Sequence, residues 1–112
     1  MGTGPKDGLA IRESCSRFST VVWLFINSRG AEVRFRIIEK LRERPMNINQ
    51  LAKELGVNYK TIKYHLMVLG KHGFVNRINN SYGSPYYLSD DVFKHWDELI
   101  QIINSYKSYK GQ

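Results

Sequence analysis

A single cysteine in 112 residues, Cys15, cannot form an internal disulfide, and the chain holds no pair of thiols at zinc-site spacing. A reducing, cytoplasmic setting is expected, with Cys15 read as a small buried apolar residue in preference to a redox sensor. Long apolar runs are missing as well. The run Val21 to Ile26 is far shorter than the ~20 residues that cross a bilayer, and the polar and charged residues at 12–17 leave no secretory signal ahead of it. No membrane contact is expected. The sequence also lacks a P-loop, a Gly-rich dinucleotide turn, a nucleophile elbow and any concentrated set of acid, base and nucleophile. That excludes the usual enzyme classes and leaves no cofactor to expect. His65, His72 and His95 do not share a ligand spacing, and Asp91 with His95 is a lone i, i+4 pair, so no metal is expected.

The most informative absence is of acid. Residues 57–88 carry Lys60, Lys63, Lys71 and Arg77 with no Asp or Glu. Elsewhere the signs are mixed: four basic against two acidic residues in 1–30, six against four in 31–56, three against four in 89–112. This block carries +4 of the net charge of +7. A basic face without carboxylates attracts phosphates and avoids like-charge repulsion near a nucleic acid. The competing reading is an ordinary solvated basic surface.

What is present in the same region is a pair of helical patterns around a short turn. Ile48, Leu51, Ala52 and Leu55 recur at i, i+3, i+4 and i+7; Ile62, Leu66 and Leu69 recur at i, i+4 and i+7. Asn47 with Gln50 resembles a capping box, Gly56 suits a C-terminal cap, and Asn58 can accept from the free amides of the next helix. Two helices meeting at Gly56-Val57-Asn58 form the arrangement that sets a helix into the DNA major groove. Ahead of them, Val33, Ile37, Ile38 and Leu41 mark another helix, with Arg34, Arg36, Glu39, Lys40 and Glu43 read as its charged face; Pro45 closes it. Met46 to Ile48 could supply a short edge strand. Beyond Gly73, Phe74 to Ile78 and Pro85 to Leu88 read as strands around the turn-forming Asn79 to Ser84. The hairpin sits where a winged helix carries its wing.

Both ends carry apolar seams. Residues 1–8 read as a loose tail, and 9–28 as an apolar segment in which Ile11, Cys15, Phe18, Val22 and Phe25 follow 4-3-4-3 spacing. Helix is favoured there, although Val21 to Ile26 also suits a buried strand. Residues 90–112 read as a terminal helix, capped by Ser89 or Asp90, with Val92, Trp96, Leu99, Ile103 and Tyr106 in a 4-3-4-3 stripe flanked by Phe93, Ile100 and Ile102. A face this broad in so short a chain is read as a dimer surface built from Phe18, Val22, Phe25, Val92, Trp96, Leu99, Ile103 and Tyr106. The alternative is that it folds onto its own domain.

The residues from Asn58 to Leu69, followed by His72-Gly73-Phe74-Val75, resemble the recognition helix and wing of ArsR-like winged helix-turn-helix regulators. Arg29-Gly30, Arg44-Pro45-Met46-Asn47 and Tyr59-Lys60-Thr61 look closest to archaeal members. The resemblance covers about residues 30–90. It implies a symmetric dimer on an operator; the thiolate pair that metal-sensing members often carry is missing. The expected fold is mainly α with a small β-hairpin (α+β): one winged helix-turn-helix domain over residues 29–89, with dimerising helices at both ends.

With Ile62, Leu66 and Leu69 buried, the opposite face of the helix 58–71 offers Tyr59, Lys60, Lys63, Tyr64 and Met67 to a major groove. Asn58 and Thr61 stand at its phosphate-binding start and Lys71 at its end. The wing, 74–88, offers Arg77, Asn79 and Asn80 to backbone or minor groove, and Tyr82 either there or as packing at the tip. His65 is read as a hydrogen-bonded, partly buried histidine. The partners expected are double-stranded DNA and a second copy. A winged-helix protein-interaction module is the alternative; RNA fits less well, because the A-form major groove is too narrow to read.

Overall fold

Gly30 takes up a left-handed backbone, φ 85°, which a residue with a Cβ enters only at a cost, and there the chain turns from its first helix into its second. The computed structural model describes residues 18–111. The expectations for the tail at 1–8, and for Ile11 and Cys15, lie outside the described residues.

The first helix, α1, runs as an α-helix over 18–22 and widens into a π-turn at Trp23–Asn27. The strand alternative for this segment is thereby set aside. The carbonyls of its last turns find side-chain donors: the Ser28 hydroxyl donates to Trp23 and Arg34 Nε donates to Leu24 at 2.8 Å. Helix α2, Ala31–Glu43, buries Ala31, Ile37, Ile38 and Leu41 and ends at Arg44, whose backbone is extended ahead of Pro45.

Helix α3, Ile48–Leu55, opens on a reciprocal cap, with Asn47 Oδ1 accepting from Gln50 N and Gln50 Oε1 accepting from Asn47 N, both at 2.8 Å. Gly56, φ 67°, closes it. In helix α4, Tyr59–Lys71, the Asn58 side chain accepts from Thr61 N at 2.9 Å. The strands β1, Val75–Arg77, and β2, Tyr86–Leu88, pair antiparallel with Val75 opposite Leu88 and Arg77 opposite Tyr86. Met46 adds a single bridge to Tyr86, with amide-to-carbonyl distances of 3.1 and 2.8 Å, so the edge strand expected at 46–48 is reduced to one residue.

The expected single terminal helix is divided into α5, Asp90–Lys94, and α6, Trp96–Gly111. His95 leaves helical geometry at the junction, and its Nδ1 lies 2.9 Å from the Asp91 carbonyl. Among the described residues no helix is long and apolar enough to cross a membrane.

One core joins all the helices and the hairpin: Leu24 and Phe25 from α1, Ile37 and Ile38 from α2, Leu51 from α3, Ile62, Leu66 and Leu69 from α4, Val75 and Leu88 from the strands, Val92 from α5, Leu99 and Ile103 from α6. Phe25 sits edge-on to Phe74 at 5.4 Å and to Phe35 at 6.4 Å. This corrects the expected dimer surface. Phe25, Val92, Leu99 and Ile103 are buried in the chain's own core, and Val22 is buried as well. The two terminal seams meet each other within one chain, where Asn27 Nδ2 donates to the Tyr106 hydroxyl at 3.3 Å. Of the eight residues expected at that surface, Phe18, exposed, and Trp96 and Tyr106, half-buried, keep accessible area.

Candidate nucleic-acid interface

Helix α4 turns one face to the core and leaves Lys60, Lys63, Tyr64, Met67 and Lys71 exposed, with Tyr64 and Met67 more than half so. The spacing that buries Ile62, Leu66 and Leu69 dictates this. The hairpin is anchored beside that face by the Met46 bridge and by Asn47 Nδ2 donating to the Gly83 carbonyl at 3.3 Å. Between helix and hairpin runs a groove of about 660 Å³, lined by Lys60, Lys63, Tyr64 and Met67 on one side and Asn76, Arg77, Asn80 and Tyr86 on the other. A smaller hollow of about 270 Å³ lies beside it, between Asn49 at the start of α3, Tyr59 and Lys63 on α4, and Arg77 and Tyr82 on the wing. Lys63 and Arg77 line both.

Arg77 is held in place on the wing. Its guanidinium lies over the Tyr86 ring, 5.5 Å from the centroid, and Nη2 donates to the Ser81 carbonyl at 3.1 Å. Asn58, Thr61 and Asn79, three of the expected contact residues, line neither hollow. Asn58 caps α4 and Thr61 gives its amide to that cap, while Asn79 Oδ1 accepts from Ser81 N at 2.8 Å and so shapes the wing turn. Lys71 is exposed at the end of α4 and does not line either hollow. Tyr59 is half-buried and borders the smaller one. Asn49, Asn76 and Tyr86 line the grooves without having been expected there; only the strand register, which puts Tyr86 opposite Arg77, signals one of them.

Behind the exposed face of α4 lies a polar cluster that reading Arg34 as part of a solvated charge face missed. Arg34 is 1% exposed. Its Nε donates to the Leu24 carbonyl, Nη1 to His65 Nδ1 at 3.1 Å, Nη2 to Ser28 Oγ and, at 3.3 Å, to the Arg29 carbonyl; its guanidinium also lies 5.0 Å from the Trp23 ring centroid. A guanidinium has no acceptor, so His65 Nδ1 must accept, and the imidazole is the neutral Nε2–H tautomer. Burial, and then the neighbouring Arg34 charge, hold the His65 pKa below its ordinary value. Burial likewise lowers that of Arg34, which stays charged nonetheless. His65 is hydrogen-bonded, as its position predicted, and more fully buried than expected. The clue to Arg34 was its place on the stripe Ala31, Arg34, Ile38, Leu41, at 3-4-3 spacing.

Among the described residues no group of three His, Cys, Asp or Glu side chains is arranged to hold a metal ion. What the arrangement offers is a basic, carboxylate-free groove with lysines and an arginine for phosphates or guanine edges, tyrosines that donate, and a methionine that can meet a thymine methyl.

The sequence profile of the family described as bacterial regulatory protein, arsR family, matches residues 31–77. No curated protein matches the chain. Among solved structures, the chain is similar to a homodimeric winged helix-turn-helix DNA-binding domain from Mycobacterium bovis, described as a possible ArsR-family transcriptional regulator, at 16% identity and TM-score 0.63 over 87% of this chain and 83% of that one. It is similar to the transcriptional repressor BigR from Xylella fastidiosa at 18% identity and TM-score 0.61, over 92% and 96%. Reduced HlyU from Vibrio cholerae matches at 21% identity and TM-score 0.59, over 81% and 94%. The fold is therefore that of a winged helix-turn-helix. These organisms are bacterial, and the archaeal resemblance has no support among them.

Proposed function

We propose that the chain is a cytoplasmic ArsR-family transcription regulator that binds double-stranded DNA as a homodimer. The observation that carries the reading is the groove between α4 and the wing, lined by Lys60, Lys63 and Arg77 in a block of sequence without a single carboxylate. Lys60, Lys63, Tyr64 and Met67 enter the major groove, and Arg77 and Asn80 follow the adjacent backbone or minor groove. A second copy would place the two α4 helices in successive major grooves about 34 Å apart. The surface available for it is an apolar hollow of about 450 Å³ where Phe18 faces Gln101, Ile102, Ser105 and Tyr106. The ArsR-family match and the Mycobacterium bovis homodimer support the same assembly.

Selection of bound sites from random duplex DNA tests the reading. A palindromic product is expected. A protein that enriches no sequence, and whose weak binding is unchanged by removing Lys60 and Lys63, would instead favour a protein-interaction module. The exposed face of α4 argues against such a module, since its one exposed apolar side chain, Met67, stands among lysines and a tyrosine.

A further inference from the structure

Arg34 and His65 lie behind the DNA-facing side of α4 and join three elements: α1 through the Leu24 carbonyl and Ser28, α2 through Arg34 itself, and α4 through His65. Among the described residues no hydrogen bond or ion pair brings a carboxylate to either side chain. Among the described residues, the groups in contact with the pair are neutral or cationic. Helix α1 supplies the Trp23 ring and the Leu24 carbonyl, the turn after it supplies Ser28 and the backbone of Arg29, and α4 supplies Tyr64, edge-on to the His65 ring at 5.3 Å. Among the described residues, the other imidazole near this cluster is exposed His72, whose ring is tilted by 50° to that of Trp23 at a centroid distance of 6.1 Å.

The pair depends on His65 being neutral. A proton on Nδ1 would point at a guanidinium nitrogen 3.1 Å away, setting two donors and two positive charges face to face with no acceptor between them. The ring has little freedom to turn aside, because it is packed against Gly30 so closely that a Cβ there would stand 2.4 Å from Cε1 and 3.0 Å from Nε2. Relief requires the turn at Ser28 to Gly30 to move relative to α4. We propose that Arg34 and His65 form a proton-sensitive latch that holds the recognition helix against the α1–α2 turn, so that DNA binding weakens when His65 takes up a proton. Both are positioning residues: neither is placed on the DNA, and the inference rests on the DNA-binding reading given above.

The direction is diagnostic. Adding positive charge to a DNA-binding helix ordinarily strengthens binding; a latch that opens on protonation does the reverse. Each unit by which DNA binding lowers the His65 pKa appears as about a tenfold loss of affinity once both forms are protonated. At fixed salt, with a duplex recovered from random-sequence selection, the affinity of the intact protein should fall about three- to tenfold between pH 8 and pH 5.5, under conditions where circular dichroism shows the fold intact. His65→Gln keeps an acceptor for Arg34 and does not titrate, so it should bind within about twofold of the parent at pH 8 and lose the acid sensitivity. His72→Gln should retain that sensitivity.

A DNA-free measurement separates failure of the latch from failure of the DNA-binding reading. Nitrogen-15 spectra of the imidazoles should show His65 Nδ1 unprotonated at neutral pH, with the amides of Ser28, Arg29 and Gly30 shifting at the His65 midpoint. If no duplex is bound at any pH, the functional reading fails and the latch is decided by those amide shifts alone. Binding that strengthens on acidification, an acid loss that survives His65→Gln, or an Nδ1–H tautomer at neutral pH would each overturn the proposal.

Discussion

Arg34 Nε stands 2.8 Å from the carbonyl oxygen of Leu24, so that a buried cation on α2 satisfies a carbonyl within the π-turn of α1. The same guanidinium serves Ser28 and His65, and a flat fork with five donors is the side chain that can do so at once. Arg34→Met would fill the space and remove the charge but leave these acceptors without donors. Orphaned buried acceptors cost about 1–3 kcal/mol each, and relief of the buried charge offsets part of this. We expect a net loss of about 2 kcal/mol in urea unfolding. An unchanged midpoint would mean that the cluster contributes nothing to stability.

Gly30 and Gly83 share a left-handed backbone, φ 85° and 80°, but differ in surroundings. A Cβ at Gly83 meets nothing within 4 Å, whereas one at Gly30 meets the His65 ring at 2.4 Å. Gly83→Ala should therefore cost about 1–2 kcal/mol from the backbone alone. Gly30→Ala should cost that and a further ~2 kcal/mol or more for the clash. Equal losses in parallel denaturation curves would show that the ring moves away freely.

Lys60 and Lys63 are exposed on α4, so replacing both with Ala should leave the fold intact. If both neutralise phosphates, the slope of log affinity against log salt falls by about 2 units, and Arg77→Ala lowers it by about 1. A loss of affinity with no change of slope would place the lysines on bases instead.

The contrast between what was and was not legible has a physical origin. Asn47, Gly56, Asn58 and Pro45 act on the backbone within a few residues of themselves, so helix boundaries follow from local chemistry. The hairpin follows from turn formers between alternating residues. Periodicity reports that a face is buried but not what covers it, and the stripes holding Phe25 and Ile103 belong to one core when read in three dimensions. Arg34 was harder still. Its charge suggested solvent, while its position on the stripe with Ala31, Ile38 and Leu41 placed it inside. Only its acceptors, which come from α1, the turn and α4, explain why it is tolerated there.

Ile102 and Ile103 are adjacent on α6 but meet different surroundings. Ile103 is 1% exposed in the core, whereas half-buried Ile102 lines the hollow beside Phe18 and Tyr106. Ile103→Glu should unfold the chain by burying an unpaired charge. Ile102→Glu should keep the circular dichroism of the parent, yet shift sedimentation from dimer to monomer and, by removing the second DNA contact, lower operator affinity about tenfold or more. A parent protein that sediments as a monomer at micromolar concentration would refute the dimer.

Stability should also depend on pH through His65. The folded chain keeps this imidazole neutral by burial and by the Arg34 charge, which lowers its pKa, while the unfolded chain returns it to about 6.5. Above that value both states are neutral and the residue contributes no pH dependence. As the pH falls through ~6.5, the unfolded state takes up the proton first, and stability declines until the folded value is passed, where the loss levels off. Urea midpoints from pH 8 down to pH 5 should trace this decline, and His65→Gln should remove it. A parent and a variant with parallel profiles would show that His65 titrates alike in both states. The neutral tautomer, and the hydrogen bond from Arg34 that requires it, would then be wrong.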